Sequence, residues 1–254
     1  MATSFPLSIQ YDLFTLSCIS DSMQVRAGNE ETMAEPRVHH PIFARFYSWI
    51  SPGMERAGVA EHRQRLLAGL SGRVIEVGAG NGMNFTYYPP EVTSVLAVEP
   101  ERHLRDIARR TAEEASVKIE VVDGVAEQLP ADTAAFDAAV ASLMLCSVPD
   151  QPVVLGEVYR VIRPGGQLRF FEHVRADTRG LQRVQRLLDA TVWPVLFGGD
   201  QTGRDTAAAI TNAGFTIERI HRLRFPDGRI TLPSSPHILG VASRPGPVVD
   251  PDRE

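Results

Sequence analysis

The run Val74-Ile75-Glu76-Val77-Gly78-Ala79-Gly80-Asn81-Gly82 holds the residue types and spacing best suited to gripping a small charged ligand. Branched apolar residues stop abruptly at glycines spaced two apart, which marks a buried strand feeding a tight turn and a helix start. Each glycine removes a Cβ where the backbone turns sharply or approaches a ligand closely. The spacing is G-x-G-x-G, not the G-x-G-x-x-G that cradles a pyrophosphate on a helix N-terminus. Glu76 sharpens the difference, because a carboxylate repels phosphate and attracts the ammonium of an amino-acid-like group. S-adenosylmethionine is the ligand that fits. The structural alternative is a glycine-rich turn with no ligand at all.

Two further acids stand where the next apolar runs end. Glu99 lies 21 positions after Gly78, about the offset at which an acid accepts ribose hydroxyls in nucleotide folds. Pro100 follows it and suits the first turn of a helix. Asp123 opens Asp123-Gly124-Val125-Ala126-Glu127, which can hydrogen-bond an adenine amine and ring nitrogens. The structural alternatives are a macrodipole-favoured acid at a helix start for Glu99 and a turn-forming Asp before Gly for Asp123.

The elements that must position these residues alternate in type. Strands are expected over 73–77, 94–98, 118–122, 138–143 and 167–174, with helices between them. Leu104, Ile107, Ala108 and Thr111 give one helix its buried face, and Val154, Val158, Val161 and Ile162 another. Pro164-Gly165-Gly166 is read as a turn into the fifth strand. Such alternation predicts an α/β fold, a mostly parallel sheet with helices on both faces. Ligands of such sheets sit beyond the carboxyl ends of the strands. Ahead of the first strand, Phe43, Phe46, Tyr47 and Ile50 recur at helical spacing, and Pro52-Gly53 is read as the end of that helix. Tyr47 is a candidate to close over the cofactor. A polar helix with Leu66, Leu67 and Leu70 follows. A helical insertion is expected over 181–196, another helix over 204–213, and closing strands over 216–223 and 237–243. Residues 1–36 read as a disordered leader, 37–246 as one domain with an N-terminal helical cap over 37–72, and 247–254 as a flexible tail.

Composition bounds the partners. The formal charge of −5 over 254 residues leaves no basic footprint for nucleic acid. Two cysteines, Cys18 and Cys146, are too few for a disulfide framework. No apolar run approaches the roughly 18 residues that span a bilayer, and the N-terminus lacks a secretory pattern. A cytoplasmic protein without a membrane anchor is the expectation. Arginine carries nearly all the positive charge, with Lys118 the only lysine, which fits a GC-rich bacterial genome. His39-His40 has no third ligand nearby and no acid cluster points to a divalent ion, so no metal is expected.

With these residues in place, the chain resembles the class I S-adenosylmethionine-dependent methyltransferases from about Phe43 to Ser243. Glu76–Gly82 looks like their first motif and Val98-Glu99-Pro100 like their ribose segment. Asp123–Pro130 looks like their adenine segment, and Arg163-Pro164-Gly165-Gly166 like the turn before their fifth strand. The resemblance implies a Rossmann-like seven-stranded sheet with an antiparallel final strand, S-adenosyl-L-homocysteine as by-product, and Ser142 and Leu143 in the cofactor site. A narrower resemblance, to the methyltransferase-like seven group, rests on Ser142–Val148, Phe171-Glu172-His173-Val174, Trp193–Asp200 and Pro236–Gly240. Those enzymes methylate small thiols. Their animal members carry an apolar anchor that this leader lacks. The ubiquinone/menaquinone methyltransferases, which act on quinol-type acceptors, share most of the cofactor motifs. A cofactor-binding module without catalysis is the remaining alternative.

Methyl transfer chiefly needs nucleophile, methyl and departing sulfur in a line, an alignment worth on the order of 7–11 kcal/mol. A thiol, with a pKa of about 8.5, supplies some thiolate at neutral pH, whereas a phenol at about 10 needs more help. That help is sought after strands four and five, at Cys146, Glu172, His173 and, farther on, Asp200. His173 is the first candidate for base or acceptor-orienting group, with a structural histidine as the alternative. Cys146 reads equally as a buried filler, and Glu172 as a cap. Phe43, Trp193 and Phe197 are candidates to line an apolar acceptor pocket, or else plain core. The acceptor is expected to be a small molecule, and oligomeric state is left open.

Overall fold

Apolar runs that lie between helices are covered on both faces, and such strands pair in parallel. The computed structural model describes residues 41–191, 199–225 and 231–246. Seven runs become strands β1 (Gly72–Val77), β2 (Val92–Val98), β3 (Ile119–Val122), β4 (Phe136–Ser142), β5 (Ile162–His173), β6 (Thr216–Arg224) and β7 (Pro236–Ser243). They form one sheet in the order β3-β2-β1-β4-β5-β7-β6. β1 to β5 pair in parallel, and β7 runs antiparallel to both β5 and β6. The fold is therefore the Rossmann-like architecture expected from the sequence. The strand order reverses between β1 and β4, and the crevice outside their carboxyl ends is where such sheets bind ligands.

Helices α1 (Pro41–Met54), α2 (Ala60–Leu67), α3 (Arg102–Glu113), α4 (Gln151–Val161), α5 (Arg179–Asp189) and α6 (Thr206–Asn212) complete the described elements. Alternation along the strands splits the core in two. Ile75, Val77, Ala139 and Phe170 pack with α4 and α6 residues such as Val154, Leu155 and Ile210. Val74, Val140 and Phe171 pack with Leu66 and Leu67 of α2 and Ala108 of α3 on the other face. Each fully buried Leu, Ile or Phe contributes roughly 1.5–3 kcal/mol, so the sheet is anchored from both sides. None of the described helices is long and apolar enough to cross a membrane.

Local departures from the sequence reading have physical causes. α1 does not end at Pro52-Gly53 but runs through Pro52 to Met54. Pro52 cannot donate to the Ser48 carbonyl, and the Ser51 hydroxyl donates to it instead, at 3.5 Å. The chain turns at Gly58 (φ 118°), within a single π turn over Glu55–Val59. β5 begins at Ile162, not after the glycines, because Pro164-Gly165-Gly166 is absorbed as a bulge between the Phe136–Ile162 and Ala138–Gln167 pairings. Arg244 clamps this bulge, donating to the carbonyls of Tyr159 and Ile162 at 2.8 and 2.6 Å. Pro100 stands ahead of α3, whose N-cap is Glu101, accepting from the Leu104 amide at 3.0 Å. Of the expected insertion, 181–189 is helical within α5, while residues 192–196 lie outside the described residues, as do the leader, the tail, His39-His40, Trp193 and Phe197.

Candidate active site

A cleft of about 280 Å³ lies against the carboxyl ends of β1, β2 and β4. Its floor is the turn after β1, where Gly78 and Gly80 hold φ of 68° and 58°, conformations that favour glycine. The amides of Gly78 and Ala79 both donate to the Val98 carbonyl, at 2.9 and 3.1 Å. A Cβ on Gly78 would come within 2.8 Å of the Met144 Cβ, so the turns after β1 and β4 are pressed together. A Cβ on Gly80 would touch only the Tyr47 ring, at 3.5 Å, which leaves its ligand side open.

The Glu99 carboxylate is locked into this floor, accepting from the Gly80 amide at 2.7 Å and the Glu101 amide at 2.9 Å. Each oxygen keeps a lone pair for another donor. Burial pushes its pKa up to about 7, although the amides of Glu101 and Gly80 favour the ionised form. Glu76, deeper in the wall, accepts from Asn84 Nδ2 at 2.8 Å and the Tyr88 hydroxyl at 2.7 Å. Burial pushes it to about 7 as well, with Tyr88, Asn84 and Arg63 opposing the shift. Arg63 is the one cationic side chain among the described residues lining this cleft. It is 5% exposed, bonded to Glu55 and to Asn84 Oδ1 at 2.8 Å. At the end of β4, Ser142 also lines the cleft, and its buried Oγ has no hydrogen-bond partner among the described residues.

A second cavity, of about 580 Å³, shares Tyr47, Leu143 and Ser147 with the first. Its walls are largely apolar, from Ile50, Met54, Val59, Phe171 and Phe225, but one end carries Cys146, His173, Asp200 and His237. His173 Nδ1 lies 3.4 Å from Asp200 Oδ1. The Cys146 thiol is hydrogen-bonded to Asp200, and burial followed by the charges of Asp200 and Glu172 pushes it well up, so it stays a neutral donor. His237 packs on His173 with ring centroids 4.4 Å apart, and Ser235 holds its Nδ1 at 2.8 Å. Leu143, on the shared wall, has φ 56°, a conformation costing a non-glycine residue roughly 1 kcal/mol or more. Buried Glu172 stabilises that turn, accepting from the amides of Met144, Leu145 and Cys146 at 3.1, 3.0 and 3.2 Å.

Residues 75–170 match the family described as a methyltransferase domain. Over 182 residues the chain is 34% identical to thiol S-methyltransferase TMT1A of Homo sapiens, covering 69% of this chain and 72% of that protein. The chain belongs to the S-adenosylmethionine-dependent methyltransferases. Among other relatives of this methyltransferase is the demethylmenaquinone methyltransferase of Oceanobacillus iheyensis, 24% identical over 173 residues, 64% of this chain and 72% of that one. The structure of geranyl diphosphate methyltransferase in complex with S-adenosylmethionine shares the fold, with a TM-score of 0.57 at 14% identity, covering 82% of this chain and 94% of that chain.

The methyltransferase brings most of the sequence-read residues together. Tyr47, Glu76, Gly78, Ala79, Gly80, Glu99, Pro100, Gly124, Val125, Ala126, Ser142 and Leu143 all line the first cleft, and Cys146 and His173 line the second cavity. Four others stand apart. Asn81 is buried but points away, donating to Ser51 Oγ at 2.9 Å and so tying α1 to the turn. Gly82 makes room for the Phe85 ring, which a Cβ would meet at 2.7 Å. Asp123 turns its carboxylate outward to Arg105, at 3.0 Å, leaving its neighbours Gly124–Glu127 to form the wall. Glu172 lines neither cavity, because its carboxylate is taken up by three amides. Phe43 lies within α1. Arg63 and His237 were missed by the sequence reading. Arg63 was nonetheless detectable, since Val59, Arg63, Leu66, Leu67 and Leu70 fall on one helical stripe.

Proposed function

We propose that this enzyme methylates a small thiol, with the cleft holding S-adenosylmethionine and the second cavity holding the acceptor. The observation that carries the reading is the shared wall. An apolar cavity with a single thiol–imidazole–carboxylate end abuts the cleft at Tyr47, Leu143 and Ser147.

The residues of the cleft fit the cofactor. Glu99 has acceptor capacity for both ribose hydroxyls, and Gly124–Glu127 offer a wall for adenine. Arg63 suits the methionyl carboxylate and Glu76 its ammonium, while the orphaned Ser142 hydroxyl awaits a polar partner. S-adenosylmethionine supplies, when bound, an electrophilic methyl on a sulfonium, and S-adenosyl-L-homocysteine is the by-product.

The chain's own contribution is alignment and proton handling. The apolar walls of the second cavity exclude water, which strengthens every charge interaction within it. Asp200 orients the imidazole of His173, and His173 takes the proton of the acceptor thiol. Cys146 donates to Asp200 and keeps that carboxylate turned to its place, a positioning role and not a nucleophilic one. Tyr47 closes the junction from α1. The similarity to thiol S-methyltransferase TMT1A supports the same acceptor class.

Labelled S-adenosylmethionine incubated with a panel of small thiols, phenols and quinols tests this. Methylated thiols alone are expected. A product only from quinols would replace the reading with the menaquinone-type one, and no product from any acceptor would leave a binding module.

A further inference from the structure

The sequence gives no reason to expect a metal, yet folding assembles a donor set that sequence spacing hides. We infer that Cys146, His173 and Asp200 form a binding site for one zinc-type divalent ion at the polar end of the second cavity. One ligand atom from each residue lies within 4.8 Å of the other two. The three come from separate segments, the turn after β4, the end of β5 and the segment at 199–201. Backbone bonds preassemble them. Glu172 fixes the Cys146 amide, the Gln201 amide donates to the Cys146 carbonyl at 3.0 Å, and the His237 ring braces His173. Such support keeps ligands in place better than a loop does.

The chemistry of the donors selects the ion. One sulfur, one imidazole nitrogen and one carboxylate oxygen suit borderline-soft zinc and not calcium or magnesium. Metal–ligand bonds of about 2.0–2.3 Å place tetrahedral ligands roughly 3.5 Å apart, so the widest pair must draw in by about an ångström. Three protein ligands leave a fourth position, as in catalytic zinc sites, and all three line the acceptor cavity.

What fills the fourth position rests on the thiol reading. Cys146 and Asp200 balance the two charges of the ion, so a thiol bound there loses its proton to solvent and keeps its negative charge and nucleophilicity. Its sulfur then forms a bond to the methyl carbon as the methyl–sulfonium bond breaks, the electron pair remaining on the departing sulfur. The neutral thioether is a poor ligand and leaves. With the ion bound, His173 is a ligand, and the proton it takes in the ion-free site goes to solvent instead.

Full-length protein stripped with a chelator and titrated with cobalt(II), then zinc(II), tests the site. One equivalent of cobalt per chain is expected, with a sulfur-to-cobalt charge-transfer band that zinc displaces. Cys146→Ser should abolish that band and, like Asp200→Asn, weaken zinc binding by roughly 100-fold or more, with S-adenosylhomocysteine binding retained as evidence of folding. If Cys146→Ser fails to fold, the wild-type spectrum and Asp200→Asn decide. No saturable binding by the wild type, an unaltered band in Cys146→Ser, or zinc binding by Asp200→Asn as tight as the wild type's overturns the site. Thiol turnover at full rate in ion-free protein also overturns it and leaves the thiol reading standing. Stoichiometric ion without thiol product does the reverse.

Discussion

The glycine-lined cleft and the histidine-lined cavity share three wall residues, but their remaining walls are assembled differently. The cleft is built from short segments at successive strand ends, each a few residues long. Gly78–Gly80, Glu99–Glu101 and Gly124–Glu127 are contiguous in sequence and adjacent in space because β1, β2 and β3 are neighbours. The cavity gathers residues from α1, the π turn, the β4 turn, β5, β7 and the segments around 200, 225 and 234, which lie far apart in sequence. A binding site made of motifs tolerates change in the surrounding chain. A site made of scattered segments depends on the whole packing arrangement.

The comparison breaks most readily at His173. His173→Ala is expected to lower kcat by about 10²–10⁴-fold while calorimetry finds cofactor affinity unchanged, and equal losses in both would erase the division between the regions. Glu99→Gln works on the other side. Its amide cannot accept from the Gly80 and Glu101 amides and two hydroxyls as a carboxylate does, and lost charged hydrogen bonds cost about 1.5–3 kcal/mol each. Cofactor affinity should fall roughly 100-fold with the fold intact by circular dichroism.

Acidity sharpens the contrast further. Glu99 and Glu76 both sit near pKa 7 in the ligand-free protein because burial disfavours their charge. Ionised carboxylates are the forms that accept ribose hydroxyls and attract an ammonium. Affinity for S-adenosylhomocysteine should therefore be flat above pH 7 and fall below it, by up to about tenfold per pH unit for each group. A Glu99→Gln protein should show a shallower fall, and an unchanged titration curve would remove Glu99 from the site. The smallest effect is expected at Gly80→Ala, where the positive φ costs about 1–2 kcal/mol. That is a drop of a few degrees in Tm for a chain of this size, and Gly78→Ala should lose more, because Met144 stands in the way.

Legibility followed the same division. β1, β2 and β3 were readable to within two residues, since each is an apolar run closed by an acid or a glycine. The helix α1 was misjudged at Pro52, because a serine hydroxyl in the preceding turn compensates for the missing amide and no local pattern announces that. Glu172 read as a candidate for chemistry since it neighbours His173. Strand alternation, however, sends adjacent side chains to opposite faces, and only pairing with β4 shows that one carboxylate serves three amides. Asp123 and Gly82 misled for a related reason. Arg105 of α3 takes up the Asp123 carboxylate, and the Phe85 ring, only three residues on, folds back against Gly82.

Hydrophobic periodicity and the acids and glycines closing the strands were enough, unaided, to specify a wound parallel sheet, to point to the methyl donor and to name most of the residues that line the first cleft. Those features are local, because one strand and its turn fix the direction of every side chain within them. The convergence of Cys146, His173 and Asp200, the packing of His237 on His173 and the strained Leu143 were decided by tertiary structure alone. They depend on which distant segments pack together, and packing is a property of the whole core that no stretch of sequence carries by itself.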